Sequence, residues 1–329
     1  MAVHSTRAEG QTLVKAVFLD YDTVSNGDLD ESALRAAVDE LALCNSDDAK
    51  TAERIRDVEI VLQNKVELSR ELLQGAAKLK LIGAAGTGTD NIDVAAARDL
   101  GIAVCNVRGY CTSSVVQHVW GLILSLTRHV GDFTRLVGNG SWTRNETHTV
   151  LSRPIRELDG RIFGVVGWGE LGRDAARIAE AFGMRVVIAN RPGGAPNPDR
   201  MELDRLLAMA DIVSLHCPLN HATRGLIGAR ELALMKSDAL LINTARGALV
   251  DGRALAAALK SGRLGGAGID VLAHEPPPSG DPLLDPKIPN LIVTPHVAWA
   301  AREARQRCLD EIAANIRDFA GGGRRSRVV

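Results

Sequence analysis

The sequence predicts an α/β protein with two doubly wound parallel-sheet domains and a cleft between them. Its 329 residues are too many for one ordinary domain and fit two domains of about 100–200 residues each. Short apolar, β-branched runs alternate with helical patterns, which is typical of βαβ units and a parallel sheet. The same alternation begins again at Ile162, where glycines separate the strand and helix patterns more clearly. We therefore expect two α/β layers in series.

The first half of the chain is expected to supply one sheet and its helices. The strands are predicted at Val14–Leu19, Val58–Leu62, Leu79–Ala84 and Ile102–Cys105. Helices are predicted at Glu31–Ala42, Glu67–Gln74 and Asp93–Leu100. The stretch Ser113–Arg128 is apolar over most of its circumference, which predicts a buried helix between domains or between subunits.

The second half is expected to supply the second sheet and a terminal helix. The strands are predicted at Ile162–Val166, Arg185–Ala189, Asp211–Leu215, Ala239–Asn243, Gly266–Val271 and Leu291–Thr294. A last helix is predicted at Arg302–Phe319, stopped by three glycines. The basic tail Arg324–Arg327 is expected to be frayed.

Composition excludes several classes of function. Lys and Arg number 39 against 40 Asp and Glu, so a basic surface for nucleic acid or an anionic membrane is not expected. The cysteines are dispersed without a CxxC pair, which argues against a disulfide scaffold and a structural zinc site, and no metal is expected. Because no secretory signal or membrane-spanning stretch is evident, we expect a cytoplasmic protein. The cysteines are Cys44, Cys105, Cys111, Cys217 and Cys308.

A glycine-rich turn carries the first sign of function. Gly167, Gly169 and Gly172 form a GxGxxG pattern between a predicted strand and a helical pattern, the context that a dinucleotide fingerprint requires. The first glycine allows the tight turn, the second lets the backbone approach a pyrophosphate, and the third allows close helix–strand packing. We therefore expect a Rossmann-like dinucleotide site. A glycine-rich turn without a ligand is the alternative.

The end of the next predicted strand bears on the choice of cofactor. An acid commonly accepts hydrogen bonds from the adenosine ribose about 20 residues after the fingerprint. Asn190 stands there instead, followed by Arg191. A carboxylate would repel the 2′-phosphate of NADP, whereas an amide beside a guanidinium can accept it. We expect NAD or NADP, with NADPH accepted; an ordinary polar turn that binds NAD is the alternative.

Three polar residues follow successive late strands. Arg246, Glu275 and His296 can converge, because ligands bind at the carboxyl ends of the strands in open parallel sheets. Reduction of a 2-oxo acid needs a cation for its carboxylate and carbonyl and an acid for the new alkoxide. Arginine offers a planar fork, and histidine titrates near neutrality beside a carboxylate that fixes its tautomer. A surface arginine, a loop glutamate and a structural histidine are the alternative.

These motifs carry a resemblance that covers almost the whole chain. The sequence resembles the D-isomer-specific 2-hydroxyacid dehydrogenase family, and within it most resembles glycerate dehydrogenases, the hydroxypyruvate reductases. The stretch PHVAWA at Pro295–Ala300 carries the narrower likeness. The family motifs are GTGTDNID at Gly86–Asp93, Asn106-Val107, GWGELG, LHCPL at Leu215–Leu219, NTARG, GIDV at Gly268–Val271, Glu275-Pro276 and TPH.

The resemblance implies an activity and a site. It implies NAD(P)-dependent interconversion of 2-oxo acids of the hydroxypyruvate or glyoxylate type and D-2-hydroxy acids of the D-glycerate type. His296 would be the proton donor and acceptor, Glu275 its partner and Arg246 the substrate anchor. Substrate contacts are expected at Thr87, Gly88, Arg246 and His296, and at Trp299 as an aromatic pocket residue. Cofactor contacts are expected at Thr87, Gly167, Gly169, Glu170, Leu171, Gly172, Asn190, Arg191, His216, Cys217, Pro218, Thr223, Thr244, Ala245, Arg246, Asp270, His296 and Ala298.

Finer roles follow from the same resemblance. The amides of Thr87 and Gly88 would hold the substrate carboxylate, Glu170 and Leu171 would cover the pyrophosphate, and Asp270 would bind the nicotinamide amide. The family organisation implies a homodimer. Residues 1–106 with 300–329 would form a discontinuous, flavodoxin-like substrate (catalytic) domain, and residues 107–299 the NAD(P)-binding Rossmann domain.

The chain departs from the family pattern at the expected hinge. Arg108 and Ser113 replace prolines there, and Cys111 replaces a glycine. His118 and His129 are interpreted as helix-packing or interface residues. A second class of function remains open, because corepressors of the C-terminal-binding type resemble this fold and retain a similar trio while acting as cofactor-gated binding modules. Formate or phosphite chemistry is disfavoured.

Overall fold

Two parallel sheets organise the chain. The computed structural model describes residues 14–145, 147–195 and 197–329. These residues divide into two units, one formed by residues 14–111 with Ala300–Val329 and the other by Thr112–Trp299. Each unit is an α/β arrangement on an all-parallel sheet, which confirms the predicted fold class of two doubly wound parallel-sheet domains.

The first unit has a five-stranded sheet in the order β2-β1-β3-β4-β5. This is the flavodoxin-like strand order. The strands are β1 (Lys15–Phe18), β2 (Glu40–Leu43), β3 (Ile60–Gln63), β4 (Leu81–Ala84) and β5 (Ala103–Cys105). The helices that connect them are α1 (Ser32–Arg35), α2 (Thr51–Ile55), α3 (Arg70–Gln74) and α4 (Val94–Asp99).

The interpretation of Glu31–Ala42 as one helix was wrong. Only α1 is helical there, and the segment then forms β2, which pairs in parallel with β1 from Lys15↔Glu40 to Phe18↔Leu43. The alanines and leucines of this segment favour a helix intrinsically. Pairing along the edge of β1 overrides that preference, because strand preference depends on tertiary context.

The second unit has a six-stranded sheet in the order β11-β10-β9-β8-β6-β7. The strands are β6 (Ile162–Val166), β7 (Arg185–Ile188), β8 (Ile212–Leu215), β9 (Leu240–Asn243), β10 (Gly266–Ile269) and β11 (Leu291–Val293). The helices are α5 (Thr112–Arg128), α6 (Val130–Gly138), α7 (Glu170–Ala181), α8 (Leu203–Met209), α9 (Ala229–Leu234) and α10 (Gly252–Lys260).

Helix α5 packs within the second unit. Its side chains Val119, Leu122 and Ile123 are buried. An added Cβ at Gly268 in β10 would lie 2.9 Å from Cβ of Leu122, so glycine is what lets the helix lie this close to the strand. The helix thus supports the end of the sheet that carries β10.

The chain returns to the first unit in the last helix, α11 (Arg302–Ala320). The Arg305 guanidinium makes two bonds to the Asp28 carboxylate, at 2.8 and 2.6 Å, and holds the pKa of that carboxyl at about 2. The expectation of a frayed tail was wrong. The tail adds to the edge of β5, where Cys105 bridges Arg327 in an antiparallel sense and Val328 N–H donates to Val104 C=O at 2.7 Å.

The described residues contain neither a membrane-spanning helix nor a metal-binding cluster. No helix within 14–145, 147–195 or 197–329 is long and apolar enough to cross a membrane. Over the same ranges, the His, Cys, Asp and Glu side chains form no group that could hold a metal ion.

Candidate active site

The second sheet reverses its strand order at β6. Strand β6 pairs with β7 on one side and with β8 on the other, so the chain leaves β6 in one direction and returns on its opposite side. Such a reversal opens a crevice at the carboxyl ends of the strands, where open α/β sheets bind ligands. The GxGxxG turn follows β6 at this reversal.

The three fingerprint glycines differ in what a side chain would meet. Gly167 has φ +108°, and a Cβ there would lie 2.5 Å from the backbone N of Cys217. A Cβ at Gly172 would lie 2.1 Å from the carbonyl oxygen of Gly167. A Cβ at Gly169 would meet nothing within 4 Å. The first and third glycines are therefore required by packing, whereas the second leaves open space before helix α7, as a pyrophosphate requires.

Helix α7 begins with an acidic residue whose side chain is hydrogen-bonded to a threonine of α5. Glu170 is its first residue, and Thr112 Oγ1 donates to Glu170 Oε1 at 2.5 Å. This bond ties the carboxylate to the start of α5. The N-terminal amides of α7, including that of Leu171, provide the dipole and donors that suit a phosphate.

The LHCPL turn after β8 forms the other side of the reversal. Burial lowers the pKa of His216 to about 4, so its ring is neutral, and its Nε2 lies 2.9 Å from Ser214 Oγ. Burial raises the pKa of the Cys217 thiol to about 11, which keeps it an uncharged wall residue. Thr223 is buried, and its hydroxyl donates to Pro218 C=O at 2.7 Å, so it shapes this turn.

Asn190 lies two residues after the end of β7. Its side-chain Nδ2 donates to Glu202 Oε1 at 2.6 Å, which brings a carboxylate beside the position that lacks one. Arg191 is exposed. Sequence reasoning missed Glu202; its only sequence signal is that an acid stands where the next helix, α8, begins.

The predicted trio comes from three neighbouring strand ends. Ile269 of β10 is paired with Asn243 of β9 on one side and with Val293 of β11 on the other. Arg246 lies three residues after the end of β9 and His296 three residues after the end of β11, and Glu275 follows β10. All three belong to the second unit and stand at the same edge of its sheet.

His296 and Glu275 form a direct pair. His296 Nδ1 lies 2.5 Å from Glu275 Oε2, and Glu275 Oε1 accepts from the backbone N–H of Leu272 at 2.8 Å. The carboxylate is thus fixed at both oxygens and holds the imidazole by Nδ1. The other ring nitrogen, Nε2, lies on the side of the ring away from Glu275, where it can exchange a proton.

Asp270 is the buried centre of the turn that carries His296. It is 1 % exposed. Its Oδ1 accepts from Thr294 Oγ1 at 2.5 Å and from Val297 N–H at 3.0 Å, and its Oδ2 accepts from Ala298 N–H at 2.9 Å. His296 has φ +54°, a left-handed conformation that is uncommon outside glycine and is sustained by surrounding contacts. The Asp270 carboxylate supplies those contacts.

Helix α5 completes this support. His118 Nε2 lies 2.9 Å from Thr294 Oγ1, and Ser114 Oγ donates to Ala298 C=O at 2.6 Å. Because the Thr294 hydroxyl donates its hydrogen to Asp270, it must accept from His118, so His118 carries its hydrogen on Nε2. The histidine interpreted from sequence as a packing residue belongs to the network behind His296.

A sharp turn positions Arg246. Asn243 Nδ2 donates to Arg246 C=O at 2.9 Å, and Ala245 N–H donates to Asn243 Oδ1 at 3.0 Å. A Cβ at Gly247 would lie 2.0 Å from the carbonyl carbon of Leu272, so the turn presses against the segment that leads to Glu275. Thr244 and Ala245 lie in the same turn, half-buried.

The remaining predicted substrate contacts belong to different units of the chain. Thr87 and Gly88 belong to the first unit, where Thr87 Oγ1 donates to Val107 C=O at 2.8 Å and Asn106 Nδ2 donates to Thr87 C=O at 2.8 Å. The backbone of this loop is therefore held in place. In the second unit, Trp299 Nε1 donates to His296 C=O at 3.0 Å.

Known proteins are similar to this chain in sequence and in architecture. The family model for the NAD-binding domain of D-isomer-specific 2-hydroxyacid dehydrogenases matches residues 120–298. The glycerate dehydrogenase of Methylorubrum extorquens is 43% identical over 270 residues, which cover 82% of this chain and 85% of that protein. The hydroxypyruvate reductase of Blautia hydrogenotrophica is 35% identical over 318 residues, 94% of this chain and 98% of that one.

A solved structure with a similar fold contains a nicotinamide cofactor. An acyclic imino acid reductase in complex with NADPH and D-Arg superposes with a TM-score of 0.82 at 25% identity, over 96% of this chain and 100% of that one. Extended sequence identity, the matched domain model and the order of the site motifs agree. The chain belongs to the D-isomer-specific 2-hydroxyacid dehydrogenase family.

Proposed function

We propose that this enzyme reduces small 2-oxo acids of the hydroxypyruvate or glyoxylate type to D-2-hydroxy acids of the D-glycerate type. As a D-2-hydroxyacid dehydrogenase, it interconverts 2-oxo and D-2-hydroxy acids with NAD(P). The narrower substrate class is supported by relatives named glycerate dehydrogenase and hydroxypyruvate reductase. The observation that carries the proposal is the His296–Glu275 pair, 2.5 Å apart, at the sheet edge that also presents Arg246.

The proton passes through His296. When bound, the reduced nicotinamide supplies a hydride to the carbonyl carbon of the oxo acid. The oxygen of that carbonyl gains negative charge, and His296 Nε2 donates the proton that neutralises it. Glu275 holds Nδ1 and stabilises the charged imidazolium. In the oxidation direction, the neutral imidazole takes the hydroxyl proton back.

Arg246 is the proposed anchor of the acid. The Arg246 guanidinium holds the substrate carboxylate with its planar fork and stabilises the developing alkoxide charge. Thr87 and Gly88 remain candidate substrate contacts. The family resemblance supports residues 1–106 with 300–329 as the substrate domain and residues 107–299 as the cofactor domain, although residues 107–111 lie in the first unit. Trp299 remains a candidate wall of the substrate pocket.

The cofactor lies on the glycine turn and the LHCPL turn. Backbone amides after Gly169, with Glu170 and Leu171, hold the pyrophosphate. The uncharged His216, Cys217, Pro218, Thr244, Ala245 and Ala298 line the nicotinamide side, and Asp270 remains a candidate for the nicotinamide amide.

A side chain at Gly169 tests this placement. Gly169→Val fills the open space before α7, so we expect dinucleotide binding at least about tenfold weaker with little change in Tm. Gly121→Ala is the matched control, because a Cβ there also meets nothing within 4 Å, and it should leave the cofactor Kd unchanged. Equal cofactor affinities in Gly169→Val and wild type would place the pyrophosphate elsewhere.

A homodimer is proposed on the strength of an exposed apolar segment. We define the arm as residues 130–145 with 147–155; Leu151 is 80 % exposed, Val130 62 % and Val137 52 %. Trp142 and Ile155 in the same arm are also exposed. Several large apolar side chains exposed in one segment are typical of an interaction surface. The self-complementary contact of a twofold dimer would cover it.

Charge on the arm tests the dimer. Leu151→Glu should shift the sedimentation of the enzyme from dimer toward monomer, since burying an unpaired carboxylate is costly. Leu284→Glu is the control, because Leu284 is exposed but lies outside the arm. Val137→Glu is a second test of the same surface. If neither Leu151→Glu nor Val137→Glu weakens the dimer more than Leu284→Glu does, the dimer does not use the arm.

A cytoplasmic location is proposed from the cysteines. None of the five cysteines, all within the described residues, is in a disulfide, and three of them are buried, which suits a reducing compartment.

Initial rates test the proposed activity. Hydroxypyruvate, glyoxylate, pyruvate and larger 2-oxo acids are each offered with NADH and with NADPH. We expect the highest kcat/KM on hydroxypyruvate or glyoxylate. Preference for a bulky 2-oxo acid would correct the substrate class, and failure on the whole panel would favour a cofactor-gated binding module instead.

A further inference from the structure

The chain after β7 turns back onto the end of that strand. Ala189 bridges Met201 in a parallel sense. Asn190 N–H donates to Met201 C=O at 2.7 Å, and Met201 N–H donates to Ile188 C=O at 2.8 Å. These bonds hold Asn190 beside the residue that follows Met201, which is Glu202.

The Asn190 side chain is fixed at both ends. Its Nδ2 donates to Glu202 Oε1 at 2.6 Å, and its Oδ1 accepts from the backbone N–H of Asn197 at 3.0 Å. This pair of partners determines which end of the amide faces which neighbour. The amide nitrogen is therefore committed to Glu202, and an exposed carboxylate stands at the carboxyl end of β7.

We infer that Glu202 is the specificity-determining residue for the cofactor, acting in place of the acid that position 190 lacks. The inference rests on the proposed dinucleotide function of the second unit. In this fold the adenosine ribose lies at the end of the strand after the fingerprint strand, which here is β7. A carboxylate at that place accepts hydrogen bonds from the two ribose hydroxyls and repels a 2′-phosphate.

Two charges of opposite sign then act on the same ribose position. Arg191 directly follows Asn190 and attracts a 2′-phosphate, whereas Glu202 opposes it. Their balance sets the ratio of NADPH to NADH use. The enzyme therefore uses both cofactors. Removing the charge of Glu202 should raise the ratio of NADPH to NADH use, and removing the charge of Arg191 should lower it.

Another carboxylate on α8 provides a matched control. Asp204 lies two residues after Glu202, but its oxygens pair with Arg230 at 2.7 and 2.8 Å, which lowers the pKa of Asp204. Asp204→Asn removes the same formal charge two residues further along the chain without touching Asn190. It should leave cofactor discrimination unchanged.

Calorimetry with nicotinamide-free ligands tests the inference on the full chain. The probes are ADP-ribose and its 2′-phosphate, titrated into wild type, Glu202→Gln, Arg191→Ala and Asp204→Asn. We expect Glu202→Gln to raise the affinity for the 2′-phosphorylated probe, relative to ADP-ribose, about tenfold. Arg191→Ala should shift the ratio the other way. The ratio of kcat/KM for NADPH to that for NADH should follow the same order.

The outcomes separate this inference from the proposed function. An unchanged affinity ratio in Glu202→Gln, or an equal shift in Asp204→Asn, overturns the assignment of Glu202 while the dinucleotide function stands. A wild-type chain that binds neither probe contradicts the proposed function and with it the assignment. A shift confined to Glu202→Gln and Arg191→Ala supports both.

Discussion

Replacing His296 by alanine is expected to lower kcat about 10²–10⁴-fold, the usual effect of losing a positioned general acid. The Kd of the dinucleotide should change little, because the glycine turn and the LHCPL turn that we propose as the cofactor site are unchanged. Single-turnover reduction rates and cofactor titration on the same preparation separate the two effects. His274→Ala is the control, since His274 is an exposed histidine next to Glu275.

The partner of His296 has its own signature in the pH profile. Glu275→Gln keeps the size of the side chain and removes the charge that stabilises the imidazolium. Reduction needs the protonated ring, so the pH above which reduction slows should move downward. An unchanged profile in Glu275→Gln would contradict the pairing that the 2.5 Å contact shows. A His296→Ala variant with kcat within about fivefold of wild type would remove His296 from the proton transfer.

Replacing Arg246 by lysine is expected to lower kcat/KM about 10²–10³-fold, the cost of losing one donor to a developing oxyanion. Lysine keeps the charge but lacks the planar fork, so the change is not conservative at a site that binds a carboxylate in two places. KM should rise and kcat should fall together, because the same group holds the acid and stabilises the alkoxide.

Arg253→Lys is the matched control for Arg246→Lys. Arg253 is exposed on the first turn of α10, seven residues further along the chain. It should show wild-type kinetics on hydroxypyruvate. If Arg246→Lys also retained near-normal kcat/KM, the substrate anchor would have to be sought elsewhere.

The parts of the fold that sequence predicted correctly have local signals. Hydrophobic periodicity and the glycine pattern, within about 20 residues, predict the strand at Ile162–Val166, the glycine turn and the helix after it. The strand order at the nucleotide end then follows from the fold rules for parallel sheets. The trio was predicted in the same way, because each member lies three to six residues after the end of a strand.

The features that sequence missed depend on distant partners. Strand β2 has the composition of a helix and is a strand only because β1 offers an edge. The C-terminal tail is ordered by pairing with β5, more than 200 residues away in sequence. His118 and Thr294 meet across 176 residues, so no motif could have placed that histidine behind Asp270.

Glu202 shows the same limit at short range. It lies 12 residues after Asn190, on the other side of a loop whose path the sequence does not specify. Reasoning about position 190 alone found a missing acid. In the structure a carboxylate stands at the same place, supplied by Glu202, the residue directly before α8.

Isotope transfer tests the central account most directly. The enzyme is given hydroxypyruvate and NADH carrying deuterium at both C4 positions of the nicotinamide, and the product is analysed for configuration and label. We expect D-glycerate with deuterium at C2 from the wild-type enzyme, formed far more slowly by His296→Ala and Arg246→Lys. L-glycerate, a product without deuterium at C2, or no product from any 2-oxo acid would contradict it.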